Sequence, residues 1–161
     1  MTLEYQSAND IKQRLKDFSD LELDILNQIE RLERIDAKMT STSAKVMTGM
    51  PGGGSSSADK LTFMVAKKDD IEKKVKAMIA KRDAEKKVLD ELINRLRKAN
   101  ERSVIQMRYY DNESWNEINY MVFGRNKDFE EREDTFLRRV HIIHGSALLN
   151  LSKLAQEDNN G

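Results

Sequence analysis

The sequence contains no cysteine and only one proline, Pro51, in 161 residues. Without cysteine the chain forms neither disulfides nor thiolate metal sites, which is typical of proteins of a reducing cytoplasm. Its apolar runs fall short of the roughly 18 residues that span a bilayer. The first six residues also lack the basic-then-apolar pattern of a secretion signal. We therefore expect a cytoplasmic protein that does not bind a membrane.

Glycine is scarce as well, and its distribution indicates where helices end. Six of the seven glycines lie in a short central segment, at one C-terminal position and at the last residue, namely Gly49, Gly52, Gly53, Gly54, Gly124 and Gly161. Because glycine and proline are the strongest breaks in a helical pattern, the rest of the chain is free to form long helices. The predicted fold class is all-α.

The chain has no overall charge, since 28 basic side chains balance 28 acidic ones. A neutral chain has no general attraction to nucleic acid, so any basic surface must be local. Residues 59–103 carry a net charge of +5, whereas residues 1–58 and 104–161 carry −2 and −3. The basic segment is either the solvated flank of a coiled coil, with ion pairs at spacing four, or a face that follows phosphates.

Two apolar stripes predict two long helices in residues 1–100. The first repeats every seven positions, at Ile11, Phe18, Ile25, Leu32 and Met39. The second runs from Leu61 to Ala99 and is interrupted by the charged residues Lys68, Arg82 and Glu85. Heptad spacing is the pattern of helices that pack along a shared apolar seam.

A glycine- and serine-rich segment at residues 47–60 separates the stripes and predicts a flexible loop. A short loop between two heptad helices favours an antiparallel hairpin, because each stripe alone would leave apolar surface in water. The second helix is expected to outrun the first by about ten residues, at about 1.5 Å per residue. Its end then needs another surface, which favours a homo-oligomer.

The C-terminal segment begins with an amphipathic stretch at residues 103–110 and a turn at residues 111–113. Ser114 precedes Glu117 by three residues, which is the spacing of a capping box. This spacing predicts a helix from Trp115 to Phe123, and Gly124 is expected to end it in the left-handed conformation. The aromatic residues here could stack on bases, but their helical spacing favours packing in a core.

A final helical segment from Phe136 to Leu154 follows. In three-helix DNA-binding units, the helix after the turn lies in the major groove, which is just wide enough to admit it. The candidate DNA-binding residues are Arg138, Arg139 and His141 near the start of this segment, with Arg125 and Lys127 in the loop before it.

Residues 105–154 also carry a resemblance, in the runs IQMRYYDNESWNEINYMVFG and FLRRVHIIHGSALLNL. They resemble region four of bacterial sigma factors and, more closely, the sigma-like domain of ArpU-type phage regulators from prophages of low-GC Gram-positive bacteria. The resemblance implies a helix-turn-helix domain at residues 101–156, with a disordered tail at 157–161. It also implies a DNA-binding regulator of phage genes in the bacterial cytoplasm, with RNA polymerase as a further partner and the Arg138 and Arg139 segment as recognition helix.

The sequence departs from the sigma pattern between Gly124 and Arg138, where it has about ten extra residues. Five carboxylates lie there, at Asp128, Glu130, Glu131, Glu133 and Asp134. Two explanations remain open. These residues form the first turns of a longer final helix and point away from DNA, or the domain has exchanged DNA contact for a protein partner.

No residue pattern predicts catalysis or a cofactor. His141 and His144, with Asp134 seven residues before His141, could be drawn as a metal site, but a third strong ligand is missing. The segment 52–57 lacks the Lys-Ser/Thr pair of a phosphate-binding loop, and no nucleophile is paired with a base. We expect neither an enzyme nor a metalloprotein.

Three functions remain as hypotheses. The first is a phage or prophage transcriptional regulator that binds double-stranded DNA through the C-terminal domain and uses the hairpin to oligomerise or to contact RNA polymerase. The second is a non-catalytic protein-interaction or assembly module. The third is a small terminase-like DNA-packaging subunit, which ring formation would distinguish from the first.

Overall fold

The computed structural model describes the backbone of residues 3–47 and 54–161, and the side chains of residues 7–44 and 58–161. These residues form five helices and no strand: α1 (Leu3–Met47), α2 (Gly54–Asn94), α3 (Ala99–Tyr109), α4 (Trp115–Phe123) and α5 (Glu133–Asn160). The predicted all-α class is therefore confirmed. Within this part of the chain, no helix has the length and apolarity that crossing a membrane requires.

The chain divides into two compact units whose boundaries lie inside the long helices. Unit 1 comprises Met1–Asp20 and Ala84–Gly161, and unit 2 comprises Leu21–Asp83. The sequence had placed the division near residue 100, between the two apolar stripes and the C-terminal segment. Instead, the start of α1 and the end of α2 belong to the same unit as α3, α4 and α5.

The lengths of α1 and α2 differ from the sequence-based expectation. The first helix has 45 residues and the second has 41, so α2 does not outrun α1. It ends at Asn94 rather than Ala99, because the amides of Arg95 and Leu96 bond three residues back, to Leu92 and Ile93. The expected overhang was the argument for a second subunit at this end, and that argument no longer holds.

Part of the segment predicted as a loop, residues 47–60, is helical, since Met47 lies in α1 and α2 begins at Gly54. Pro51 and the glycines at 49, 52 and 53 lie outside the described residues. At the other end of the chain, α5 continues through Asn160, so the residues predicted as a tail are helical. There Asp158 forms an ion pair with Arg95, in which Oδ1 of the carboxylate lies 2.8 Å from Nη1 of the guanidinium.

Unit 2 is held by a narrow apolar seam that is flanked by ion pairs. Ile35, Ile71 and Val75 are its buried residues. Arg82 lies 3.3 Å from Glu22, and Lys68 lies 2.7 Å from Asp36. As the numbers rise along α1 the partners on α2 fall, so the two segments run antiparallel within this unit. The charges that interrupt the second stripe are thus paired across the seam.

Unit 1 has a larger core to which the start of α1, the end of α2, α3 and α5 contribute. Its buried residues are Ile11, Leu15, Phe18, Leu89, Leu92, Ile93, Leu96, Ile105, Tyr109, Ala147, Leu148 and Leu151. At its edge, the guanidinium of Arg14 donates to both carboxylate oxygens of Glu85. The first turns of α1 therefore complete the core of the C-terminal helices.

Candidate nucleic-acid interface

Helices α3, α4 and α5 meet at one apolar centre. Val104 of α3, Ile118 of α4 and Val140 of α5 are completely buried there. Burying a branched aliphatic side chain contributes roughly 1.5 to 3 kcal/mol. The packing of these three side chains sets the positions of α4 and α5, and therefore of the candidate residues on α5.

The turn between α3 and α4 lies where the sequence predicted it. Asn112 has a φ of 56°, a left-handed conformation that asparagine adopts more readily than most residues. Its side-chain oxygen accepts a hydrogen bond from the Ser19 hydroxyl. Arg108 donates to the carbonyl of Glu113 at 3.0 Å. The turn is therefore fixed both by its own conformation and by a contact from α1.

The capping box at the start of α4 is present, and the predicted helix bounds of Trp115 and Phe123 are confirmed. The Glu117 amide donates to the Ser114 hydroxyl oxygen at 3.2 Å, and the Ser114 amide donates to the Glu117 carboxylate at 3.0 Å. The bond from the Ser114 amide, which an ionised carboxylate accepts best, holds the pKa of Glu117 below its usual range.

Replacing Ser114 by alanine is expected to lower the free energy of unfolding by about 1 kcal/mol, because the Glu117 amide loses its acceptor. Urea denaturation followed by circular dichroism would measure the loss. Ser114→Asp is the matched control, since aspartate can also cap a helix and should retain most of the stability. Equal stability of the alanine variant and the wild type would show that the box contributes nothing.

Gly124 ends α4, but the prediction that it is left-handed was wrong. Its φ of −59° and ψ of −18° are right-handed. A Cβ at this position would lie 2.3 Å from the Tyr120 carbonyl oxygen and 2.9 Å from that residue's Cδ2. The close approach of Tyr120, rather than the backbone angles, is what favours glycine here.

The acidic insertion, residues 128–134, is anchored by aromatic packing. Phe129 is buried and its ring centroid lies 5.8 Å from that of Phe136, which in turn lies 5.1 Å from that of Phe123. Asn119, which is fully buried, donates to the carbonyl of Glu133 at 3.1 Å. Residues 124–132 form successive turns that fold back onto α4 and α5.

Of the five carboxylates in the insertion, only Glu133 and Asp134 lie in the first turn of α5. Asp128 pairs with Arg132 at 3.1 Å, while Glu130 and Glu131 are exposed in the turns. The explanation that all five belong to a longer final helix is therefore wrong for three of them. Acidic groups at a helix start are favoured by the helix dipole.

All five candidate DNA-binding residues are exposed. Arg138, Arg139 and His141 lie in the first half of α5, and Arg125 and Lys127 lie in the turns after α4. Within the described part of the chain, Arg138 forms no ion pair. The guanidinium of Arg139 is 5.5 Å from the Phe136 ring centroid. These side chains are accessible but are distributed over two segments.

His144 is a buried packing residue. Its Nε2 lies 2.8 Å from the Tyr109 hydroxyl. Burial, together with the charges of Lys12, His141 and Arg108, lowers its pKa to about 4 from the ordinary 6.5. A neutral ring whose Nε2 accepts from Tyr109 fits these surroundings. Among residues 7–44 and 58–161, no three His, Asp or Glu side chains are grouped as metal ligands would be.

The sequence analysis missed two polar groups that the tertiary structure assembles. Glu101 of α3 is only 2% exposed and accepts hydrogen bonds from Ser146 at 2.8 Å and Asn150 at 3.1 Å, both on α5. Lys12 and Lys16 of α1 line a pocket with residues of α3 and α4. No sequence pattern connects these residues, since the partners in each group lie far apart in the chain.

The sequence model of one family matches residues 38–133, and its description reads "Protein of unknown function (DUF1492)". The matched segment extends from the second half of α1 to the first residue of α5. No curated protein and no solved structure matches the chain. Because the family match covers more than half of the sequence, this protein belongs to the DUF1492 family.

Proposed function

We propose that this protein is a phage or prophage transcriptional regulator that binds double-stranded DNA with the exposed face of α5. The observation that supports this most is the exposure of Arg138, Arg139 and His141 on the helix that follows the capped α4. The arrangement of α3, α4 and α5 is then a helix-turn-helix domain of the sigma-like, ArpU-type kind that the sequence resembles. In this proposal α5 enters the major groove.

Two further positions on α5 support a close approach of a large ligand. Ile142 is 70% exposed, and a Cβ at Gly145 would meet no other atom within 4 Å. Glycine in an exposed helix interior costs about 1 kcal/mol relative to alanine, and no contact among the described residues requires it here. A residue without a side chain allows a ligand to approach the helix backbone. Arg138, Ile142 and Gly145 follow one another at spacings of four and three and share one face.

The two long helices, α1 and α2, would mediate contacts with other protein chains. We propose that α1 and α2 form an antiparallel hairpin, which oligomerises or contacts RNA polymerase. Leu23 and Leu26 of α1 are 55% and 61% exposed, and Phe63 of α2 is 71% exposed. Large exposed apolar side chains are common at protein interfaces. They support a partner for this part of the chain but do not identify it.

The proposal is tested by fluorescence anisotropy of labelled promoter fragments from phage genomes, against a scrambled duplex, at two salt concentrations. Replacing Arg138 and Arg139 by alanine should weaken binding and reduce the slope of log K against log salt by about 0.9 for each lost phosphate contact. The matched control is Lys73→Ala with Lys74→Ala, which removes two adjacent exposed cations from α2.

The two double variants distinguish α5 from the basic α2 as the phosphate-binding surface. A reduced slope only in the α5 variant supports the proposal. A wild-type slope in the α5 variant, with a reduced slope in the α2 variant, would show that α2 rather than α5 contacts the DNA phosphates. Absence of binding to any duplex at micromolar protein would contradict a DNA-binding regulator altogether.

One observation favours the second candidate, a protein-interaction module. Asp134 lies one turn before Arg138, and Glu130 and Glu131 are exposed nearby in sequence, so negative charge flanks the proposed reading helix. On α4, Tyr120 and Met121 are 67% and 59% exposed, beside these carboxylates in the chain. Absence of DNA binding together with a stable stoichiometric partner would favour this function. A ring-shaped oligomer seen by light scattering and microscopy would instead favour a small terminase-like subunit.

A further inference from the structure

A basic pocket opens in unit 1 where the first helix meets the turn between α3 and α4. It has a volume of about 400 Å³, and its lining includes Lys12, Lys16, Ser19, Asp20, Arg108 and Trp115. Lys12, Lys16 and Ser19 follow at spacings of four and three, so α1 presents them on one face. We call this cavity the basic pocket.

Positive charge in the basic pocket exceeds negative charge, since three cations face one carboxylate, Asp20. Among the described residues, neither Lys12 nor Lys16 forms an ion pair. Two like charges four residues apart on a helix repel each other, and Arg108 adds a third. A bound anion would relieve this repulsion, which Asp20 alone among the described lining residues offsets only in part.

Arg108 is held in place by the groups around it. Its guanidinium carbon lies 4.4 Å from the centroid of the Trp115 ring, and it donates to the Glu113 carbonyl at 3.0 Å. An arginine fixed by stacking on an aromatic ring loses less freedom when it binds an oxyanion. The buried His144 lies behind this wall, and after burial itself the charges of Lys12, His141 and Arg108 are what lower its pKa. The positive field therefore extends to the wall of the pocket.

The pocket adjoins the proposed DNA-reading face. Trp115 lines it, and the ring centroid of His141 lies 4.6 Å from that of Trp115. His141 follows Arg138 by three residues on α5, and both are exposed. A duplex whose groove received α5 would bring its backbone phosphates toward this edge of the unit. Phosphate contacts of this kind fix the register of a protein on DNA.

We propose that the basic pocket binds a phosphate group, supplied by the backbone of the duplex that α5 contacts. Lys12 and Lys16 provide mobile ammonium groups, and Arg108 provides a fixed guanidinium. That the phosphate belongs to DNA depends on the proposed function. That the pocket binds a phosphate at all depends only on the residues that line it. The contact is a positioning contact, because a phosphate carries no sequence information.

Trp115 is the only tryptophan in the chain, so its fluorescence reports on the pocket directly. Inorganic phosphate would be titrated at constant ionic strength against chloride, and a short duplex would be titrated separately. We expect saturable changes in emission with phosphate and with duplex but not with chloride. In the double variant Lys12→Gln, Lys16→Gln the phosphate response should be lost, and the salt slope of duplex binding should fall by about 0.9.

The control variant is Lys73→Gln with Lys76→Gln, which removes two exposed lysines from one face of α2 and should leave the phosphate response unchanged. Thermal melts by circular dichroism would establish that both variants fold. If the lysine variant of the pocket responds to phosphate and duplex as the wild type does, or if the wild type responds to neither, the pocket proposal is overturned. A DNA-binding function would survive the first of these results, because the duplex still binds, whereas the second result would count against both proposals.

Binding of phosphate without binding of duplex would be equally informative. If phosphate changes Trp115 emission and the pocket variant abolishes that response, but no duplex binds, the phosphate site stands and the proposed DNA-binding function fails. The source would then be a free phosphorylated ligand. A series of nucleoside mono-, di- and triphosphates in the same titration would identify its class.

Discussion

Replacing Trp115 by alanine is expected to lower the free energy of unfolding by about 3 kcal/mol, at the lower end of the roughly 3 to 5 kcal/mol for a buried aromatic. The indole is partly buried against the core of α3, α4 and α5. Its ring also packs against His144, at 4.8 Å between centroids, and beneath the Arg108 guanidinium. Truncation would remove these contacts together. Urea denaturation monitored by far-ultraviolet circular dichroism would measure the loss without relying on tryptophan emission.

The matched control is Trp115→Phe, which retains an aromatic ring at the start of α4 and should cost less than the alanine variant. A side chain that served only to stack on a ligand would make both variants as stable as the wild type. Unchanged stability of Trp115→Ala would therefore refute the packing role. Tyr120, which is 67% exposed on the same helix, offers a second comparison, since Tyr120→Ala should change stability little.

Stability is expected to fall by about 2.5 kcal/mol as the pH is lowered from 6.5 to about 4, through protonation of His144. Its pKa is about 4 in the folded protein and about 6.5 when unfolded. Between these values the unfolded chain binds more protons than the folded chain, so acid favours unfolding. Below about pH 4 both states are protonated and this contribution no longer changes. The physical cause is burial first, followed by the charges of Lys12, His141 and Arg108.

The difference in unfolding free energy between the wild type and His144→Gln, measured across this pH range, isolates the contribution of one ring from the general effect of carboxylates. We expect that difference to shrink as the pH falls. His141→Gln is the control, because it replaces an exposed imidazole nearby and leaves His144 in place. A difference that stays constant from pH 7 to pH 4 would mean that His144 titrates alike in both states.

Local signals were sufficient for several features of this chain. Ser114 and Glu117 predicted the start of α4 to the residue, because a capping box uses only groups within one helical turn. The heptad spacing of Ile11, Phe18 and Ile25 predicted buried positions of α1, because one face of a helix is set by sequence spacing alone. The scarcity of glycine and proline predicted a helical chain.

Other features depended on packing and backbone geometry that the sequence pattern does not specify. The end of α2 at Asn94 follows from bonds of Arg95 and Leu96 that no composition signal marks. Gly124 is required by the approach of Tyr120 rather than by positive φ, and the pattern of a helix followed by glycine does not distinguish these causes. Burial of Phe129 drew part of the acidic insertion against α5 and left Glu130 and Glu131 exposed in turns.

The sequence by itself determined the helical class, the two apolar stripes, the capped start of α4 and the candidate cations of α5, because each depends on neighbours within a few turns. Only the tertiary structure decided that the first turns of α1 complete the C-terminal unit. That packing places Lys12 and Lys16 beside Arg108 and Trp115, and it surrounds His144. The physical reason is that apolar surface from any part of the chain can cover a core, and charges on the same helix are then carried to positions that sequence spacing does not specify.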